Sequence, residues 1–222
     1  AGEARQVFEA LARVAPAQAY PVLVDLSLHQ NRPAEAEALA ERVIRTRPES
    51  ADGYLLQAII QERQGDIGKS LAILTSAASR LKDEPRLQMA MARLHARRGE
   101  IDQSIATYQS LIDRNPRYYP AVFALGALHD SLGNKGKALH LYQEVLQLKQ
   151  DYPPALNNLA FLYSENYGRV DEGLELAARA CRLAPEQPEF LDTLGFLLVR
   201  NGRPREAIPL LEKVRGMLPE DP

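Results

Sequence analysis

A chain of 222 residues with a single cysteine, Cys181, can close no disulfide within itself, so packing and hydrogen bonding must hold it together. Such a chain is at home in a cytosol and tolerated in a periplasm, and the compartment stays open between the two. No apolar run approaches the roughly 20 residues that cross a bilayer, which argues against direct membrane insertion, and no charged-then-apolar leader precedes the first helical segment. Strong charge of one sign is missing too: 27 Lys and Arg stand against 29 Asp and Glu, a formal net charge of −2, with the basic residues spread along the chain. Nothing global therefore points to nucleic acid or an acidic membrane surface. The sequence starts at Ala1 rather than Met, from which a processed chain or an excised piece of a longer one is expected. What is present, 45% apolar and 25% charged residues, suffices for a packed core.

The organising feature is a period. Gly65, Gly99 and Gly133 are spaced by 34, and Gly202 follows 69 later, one period of 34 and one of 35. Five residues after each of those glycines stands a small residue, Ser70, Ser104, Ala138 and Ala207, with Ala36 and Gly173 in the two remaining repeats. A small side chain is what a crowded helix crossing requires. Four positions on come Ala40, Leu74, Tyr108, Tyr142, Ala177 and Leu211, and three further Val43, Ala77, Leu111, Val145, Ala180 and Val214, the spacing of one helix face. Pro48, Pro116, Pro185 and Pro219 then stop four of these six second helices. In the first helices, Leu125-Gly126 with His129, Leu159-Ala160 with Tyr163, and Leu194-Gly195 with Leu198 set a large residue beside a small one, a turn before another bulky one.

In its Leu-Gly, small, bulky and Pro columns this array resembles the tetratricopeptide repeat, whose pattern is W-x2-L-G-x2-Y…A-x3-F…P. The resemblance covers nearly the whole chain and implies an all-α solenoid: six full repeats, 17–50, 51–84, 85–118, 119–152, 153–187 and 188–221, after an N-terminal half repeat within 1–16. Ala4, Phe8, Leu11 and Pro16 give that half repeat its second-helix spacing. Asn31 replaces the turn glycine of the first full unit, and the fifth carries one extra residue in its Ser164-to-Gly168 turn. Units that cannot bury their own apolar faces stack, and in this family they form a right-handed superhelix with the first helices lining a concave surface.

Several features invite an enzyme reading and fail it. "GDIGKS", Gly65 to Ser70, lacks the glycine of a phosphate-binding loop, Arg63 standing in its place, and follows a helical rather than a strand pattern; "GNKGKA" at 133 to 138 occupies the same turn of another repeat. His95 and His129 lie 34 apart in the bulky first-helix column, and no ligand-spaced Cys or carboxylates join them or His29 and His140. Cys181 reads as a small packing residue beside Ala180. No catalytic arrangement, metal or cofactor is expected.

The pair Asn157-Asn158 is costlier. Both lie beyond capping range inside a helix, where each costs roughly 0.5 kcal/mol relative to Ala. Asn157 and Phe161 share a face, with Ser164 a turn on and Asn158 on its flank; the next repeat offers Asp192, Thr193, Phe196 and Arg200 there, the preceding one Phe123, Ala127 and Asp130. Phe161 and Phe196 occupy one column of adjacent repeats and should stand side by side. In many members of the family an Asn on this face bonds the backbone of a bound peptide, so the resemblance implies a partner peptide or helix held in the groove by Phe123, Asn157, Asn158, Phe161, Asp192, Thr193 and Phe196. The alternative is local: Asn158 bonds within the repeat, and the phenylalanines cover their neighbours. The carboxylate clamp for chaperone tails does not fit, because Glu189 and Thr193 stand where bases belong, nor does the asparagine ladder of the O-linked N-acetylglucosamine transferase, whose column here reads Leu56, Ala90, Ala124, Asn158 and Thr193.

A second patch, with Arg86, Arg93 and Arg97 toward the groove and Arg80, Lys82 and Arg98 around them, is either a site for an acidic segment or a solvated basic face. The last second helix shows Ile208, Leu210, Leu211, Val214 and Met217, from which continuation of the natural chain, or self-association through uncapped ends, is expected. The reading that follows is a protein-protein interaction scaffold. Its alternatives are an accessory domain of a larger bacterial secretion, polysaccharide-export or glycosyltransferase protein, the last two repeats being similar to envelope-export proteins, and a self-assembling spacer.

Overall fold

The computed structural model describes residues 16–217 together with Val7, Phe8, Ala10 and Leu11; most of the expected half repeat, and the terminal "LPEDP" beyond Met217, lie outside the described residues. From Pro16 onward twelve helices follow one another, and no strand occurs among the described residues. The chain divides into two compact units, Ala1–Leu111 and Ile112–Pro222. Unit 1 holds α1 (Pro16–His29), α2 (Pro33–Thr46), α3 (Asp52–Arg63), α4 (Ile67–Arg80), α5 (Pro85–Arg97) and most of α6 (Ile101–Arg114). Unit 2 holds α7 (Tyr119–Ser131), α8 (Lys135–Leu148), α9 (Pro153–Asn166), α10 (Val170–Leu183), α11 (Pro188–Arg200) and α12 (Pro204–Met217).

Local chemistry sets where these helices begin and end. Proline in the first turn of α2, α5, α7, α9 and α11 fixes φ where no intrahelical amide bond is lost. Asp66 caps α4, its Oδ1 accepting from the Lys69 amide at 2.8 Å. Each first helix ends on a left-handed residue: Gly65, Gly99, Gly133, Gly168 and Gly202 have φ between +64° and +85°, and Asn31 takes the same place at +56°. The next amide then bonds back to an orphan carbonyl, as from Asp66 to Gln61 at 2.9 Å and from Asn134 to His129 at 2.9 Å. In the fifth repeat the bond runs from Arg169 to Tyr163 at 2.8 Å, spanning six residues instead of five, so the extra residue is absorbed in the last turn of α9.

The predicted small column lies at the helix crossings. Ala36, Ser70, Ser104, Ala138 and Ala207 are all fully buried, and Gly173 is buried with them. The two serines bury no orphan hydroxyl, because Ser70 Oγ donates to the Ala58 carbonyl at 2.8 Å and Ser104 Oγ to that of Ala92 at 2.7 Å. Around the crossings unit 1 packs Leu23, Val24, Val43 and Ile60 in one cluster, with Phe8 against it, and Leu71, Leu74, Leu87 and Leu94 in another. Unit 2 packs Tyr142, Leu159, Leu162 and Tyr163, then Leu174, Leu197 and Leu198. Consecutive first helices touch as well, α1 with α3 and α9 with α11, which brings their shared columns side by side.

Candidate functional site

In unit 2 the columns on α9 and α11 meet as the sequence predicts. The rings of Phe161 and Phe196 stack with centroids 6.0 Å apart and an interplanar angle of 28°, while remaining 41% and 38% exposed. Arg200 lies 5.9 Å over the Phe196 ring and 3.5 Å from the Glu165 carboxylate, fencing one end of the pair. Asp192 is exposed on the same helix, whereas Thr193 is half-buried and turns its hydroxyl onto the Glu189 carbonyl at 2.9 Å. Ser164 does not share this surface: its Oγ is buried without a partner, where a Cβ on Gly173 would come within 2.2 Å of it.

The Asn pair divides its duties. Asn158 Nδ2 donates at 3.0 Å to the hydroxyl of Tyr142, which lies 3.3 Å from Asp130 Oδ2, and Lys135 Nζ neutralises Asp130 at 2.5 Å. Asn158 is thus bonded to a fully buried ring of the preceding repeat, and its Oδ1 accepts a long 3.4 Å contact from Asn157 Nδ2. Asn157 Oδ1 is buried with no hydrogen-bond partner, an acceptor left unused in a half-buried residue. Phe123 is half-buried, 5.7 Å from the Tyr142 ring and 5.2 Å, edge-on, from Tyr152, which meets Tyr119 at 5.1 Å. Burial, with a smaller push from Lys137, holds His129 below its ordinary pKa; it fills the column where Tyr163 stands in the next repeat.

In unit 1, Arg93 and Arg97 are not free cations. Both reach Glu62 on α3, whose side chain is only 6% exposed: Arg93 Nη1 and Nη2 bond Oε1 and Oε2 at 2.6 Å each, and Arg97 Nη1 shares Oε1. Two half-exposed guanidiniums on one carboxylate leave one positive charge in excess. Burial alone would raise the Glu62 pKa, but hydrogen bonds and charge from Arg93 and Arg97 outweigh it and hold the carboxyl below its ordinary value of 4.5. A depressed folded pKa stabilises above the unfolded value and loses that contribution as pH falls through the folded one. Glu62→Gln is therefore expected to cost about 1–3 kcal/mol at pH 7, moderated by the exposure of both arginines. Melting curves from pH 7 to pH 3 should show the gap to wild type closing below about pH 4.5; a gap independent of pH would refute the ion cluster.

The sequence alone did not single out Glu62 or the contacts of the Tyr142 hydroxyl. The signal for Glu62 was available: its column otherwise reads Leu28, Ala96, Asp130, Ser164 and Val199, and arginines follow 31 and 35 residues later, on either side of one period. Cys181 proves a packing residue, nearly buried, with Sγ 3.2 Å from the Phe190 carbonyl and its thiol pKa pushed up by burial. Ile208 is 54% exposed, whereas Leu210 and Leu211 pack inward against the last cluster. Among the described residues no group of three or more His, Cys, Asp or Glu could hold a metal, and no helix is long and apolar enough to cross a membrane.

Comparison with known proteins agrees with this architecture. The sequence model described as tetratricopeptide repeat matches residues 22–85 and 89–153, more than half the chain. The chain belongs to the tetratricopeptide repeat family, whose members are generally non-catalytic scaffolds for protein-protein interaction. Among solved structures it is similar to the thermophilic TPR protein TTC0263 of Thermus thermophilus, 20% identical with a TM-score of 0.63 over 78% of this chain and 93% of that one. A tetratricopeptide repeat protein from Parabacteroides merdae is 22% identical, TM-score 0.62, over 96% and 81%, and MamA from Desulfovibrio magneticus 22% identical, TM-score 0.60, over 75% and 94%. At such identities the likeness concerns the fold alone, and the similarity to envelope-export proteins expected from the last two repeats finds no support in it. Comparison with curated protein sequences gives no match.

Proposed function

We propose that this chain is an interaction scaffold that receives an apolar segment of a partner protein, a peptide or one face of a helix, on the α9–α11 surface of unit 2. The observation that carries the reading is the stacked Phe161 and Phe196 pair, two large rings left exposed at 41% and 38% side by side on adjacent first helices. Aromatic anchors of this kind, rimmed by polar groups, are the usual centre of a protein interface. Exposed Asp192 supplies an acceptor for a backbone amide of the segment, and half-buried Asn157 lies on the same face as Phe161. Asn158, Phe123 and Thr193 border the surface through contacts inside the unit. In unit 1 the surplus charge of Arg93 and Arg97 suits an acidic residue of a partner.

The test is retention of partner proteins on immobilised wild-type chain, compared with a Phe161→Ala, Phe196→Ala double variant and with Asn157→Ala, each checked for helicity by circular dichroism. Loss of two anchors is expected to weaken the specific partner at least about tenfold, as interface aromatics commonly do on truncation. Undiminished retention by the folded double variant would overturn the reading.

A further inference from the structure

Helical spacing sets Arg205, Ile208, Pro209 and Glu212 on one face of α12, and all four are exposed. Ile208 is 54% exposed, although its column is closed by the following first helix in earlier repeats: Leu71 packs with Leu87 and Leu94, and Leu174 with Leu197 and Leu198. The face is nevertheless not made for one more repeat. The column of Arg215 reads Ile44, Ala78, Ile112, Leu146 and Cys181 in the five units before it. That column meets the next first helix, since Ile44 Cγ1 lies 2.5 Å from where a Cβ on Gly53 of α3 would stand, and Cys181 Sγ lies 3.2 Å from the Phe190 carbonyl of α11. A first helix stacked on α12 would desolvate a guanidinium in a place that is apolar everywhere else in the array.

The charges on the face identify a different occupant. Elsewhere on α12 they are answered within the chain: Glu206 accepts from Arg203 Nε at 2.7 Å, and Lys213 Nζ lies 2.9 Å from the Glu186 carboxylate. Arg205 and Glu212 have no ion partner among the described residues. They stand symmetrically about an apolar centre, Arg205 three residues before Ile208 and Glu212 three residues after Pro209, with opposite signs roughly 10 Å apart along the helix axis. Pro209 sits inside the helix, where it forgoes the bond to the Arg205 carbonyl, so helix stability does not account for its place. Turned about a two-fold axis between Ile208 and Pro209, the face becomes its own complement: apolar centre on apolar centre, and each positive end on a negative one.

We infer that α12 is a homodimer seam, in which two copies of this chain pair their α12 helices antiparallel about that axis, Ile208 and Pro209 packing on their counterparts and each Arg205 bonding Glu212 of the second copy. In this register Arg215 falls opposite Gly202 of the second copy, before its helix begins at Pro204, and stays in water. One pair of short helices covers less than the roughly 1,600 Å² of a standard interface, so the dimer is weak, with a Kd on the order of 100 μM. The seam lies apart from the stacked phenylalanines and adds a second copy to whatever partner they receive.

The experiment is sedimentation equilibrium of the full chain from about 5 μM to about 1 mM, with charge reversals read in pairs. Wild type should pass from monomer to dimer and no further, because a two-fold contact closes on itself. Arg205→Glu alone and Glu212→Arg alone each set like charges across both ends of the seam and should weaken self-association at least about tenfold. An equimolar mixture of these two variants should recover the dimer at close to wild-type strength, since both ends then join opposite signs. Ile208→Ser, at an exposed position where folding survives, should abolish the dimer while circular dichroism stays that of wild type. Phe161→Ala, Phe196→Ala should leave it intact, which keeps failure here distinct from failure of the unit 2 reading. A monomer at every concentration, a dimer indifferent to both reversals, or a mixture no stronger than its components would overturn the seam.

Discussion

Gly173→Ala is expected to destabilise unit 2 by about 2–3 kcal/mol, although the same change in an open helix stabilises. Two effects of opposite sign compete. Replacing a helical glycine with alanine gains up to about 1 kcal/mol of helix propensity. Against it, a Cβ at position 173 would lie 2.2 Å from Ser164 Oγ and 2.7 Å from the Ala160 carbonyl oxygen. The serine can rotate away; the carbonyl belongs to the backbone of α9 and moves only if the α9–α10 crossing opens, the kind of overpacking that costs about 1–3 kcal/mol or more. Opening the crossing also loosens Leu174 and Ala177, which pack beside it, and that loss adds to the clash. Gly136→Ala is the control, because nothing lies within 4 Å of a Cβ there, and it is expected to be neutral or slightly stabilising. Chemical denaturation of the two variants against wild type decides the matter. Adding Ser164→Ala to Gly173→Ala removes the hydroxyl contact but leaves the carbonyl, so it should recover only part of the loss. Wild-type stability in Gly173→Ala would mean that α9 and α10 sit further apart than described.

How much of this was legible beforehand follows from what a sequence period can encode. The 34-residue beat places side chains that recur in every repeat, so the turn glycines, the small crossing column and the stacking of Phe161 on Phe196 could all be written down from it. Contacts made once cannot be read that way. Glu62 with Arg93 and Arg97, or Arg47 with Asp52 and Arg86, is a set of charges that does not recur from repeat to repeat even though Asp52 and Arg86 lie one period apart, and charges on a helix face look alike whether they meet a partner across the crossing or face water. Ser164 shows the same limit. Helical spacing puts it near Asn157 and Phe161, yet the extra residue at the end of α9 and the missing Cβ of Gly173 turn its hydroxyl into the crossing. Asn158 needed the structure for another reason: its partner hydroxyl sits 16 residues away, on the second helix of the preceding repeat.

Tyr142 is where these one-off contacts converge, and Tyr142→Ala is expected to cost about 3–5 kcal/mol, the range for deleting a buried aromatic ring. Its side chain is fully buried, lies 3.0 Å from where a Cβ on Gly126 would stand, and meets Phe123 at 5.7 Å. Tyr142→Phe keeps that packing and removes only the hydroxyl, so it should cost about 1 kcal/mol, with Asn158 and Asp130 half-buried and open to water in compensation. The hydroxyl also leaves a signature in alkali: burial, then the nearby Asp130, push its pKa well above the ordinary 10.0, and the bond from Asn158 only partly opposes them. A raised folded pKa contributes stability below pH 10 that is lost as pH rises above it, so the Tyr142 hydroxyl should resist ionisation above pH 10 and lose its proton only with unfolding. A double-mutant cycle of Tyr142→Phe with Asn158→Ala then settles what the asparagine does. Coupling of about 0.5–1 kcal/mol means that Asn158 holds α9 to α8 through this hydroxyl, and partner contacts must be sought from Asn157 and the phenylalanines. Additive effects would mean that the bond contributes nothing to stability, which frees the Asn158 amide to meet a partner directly.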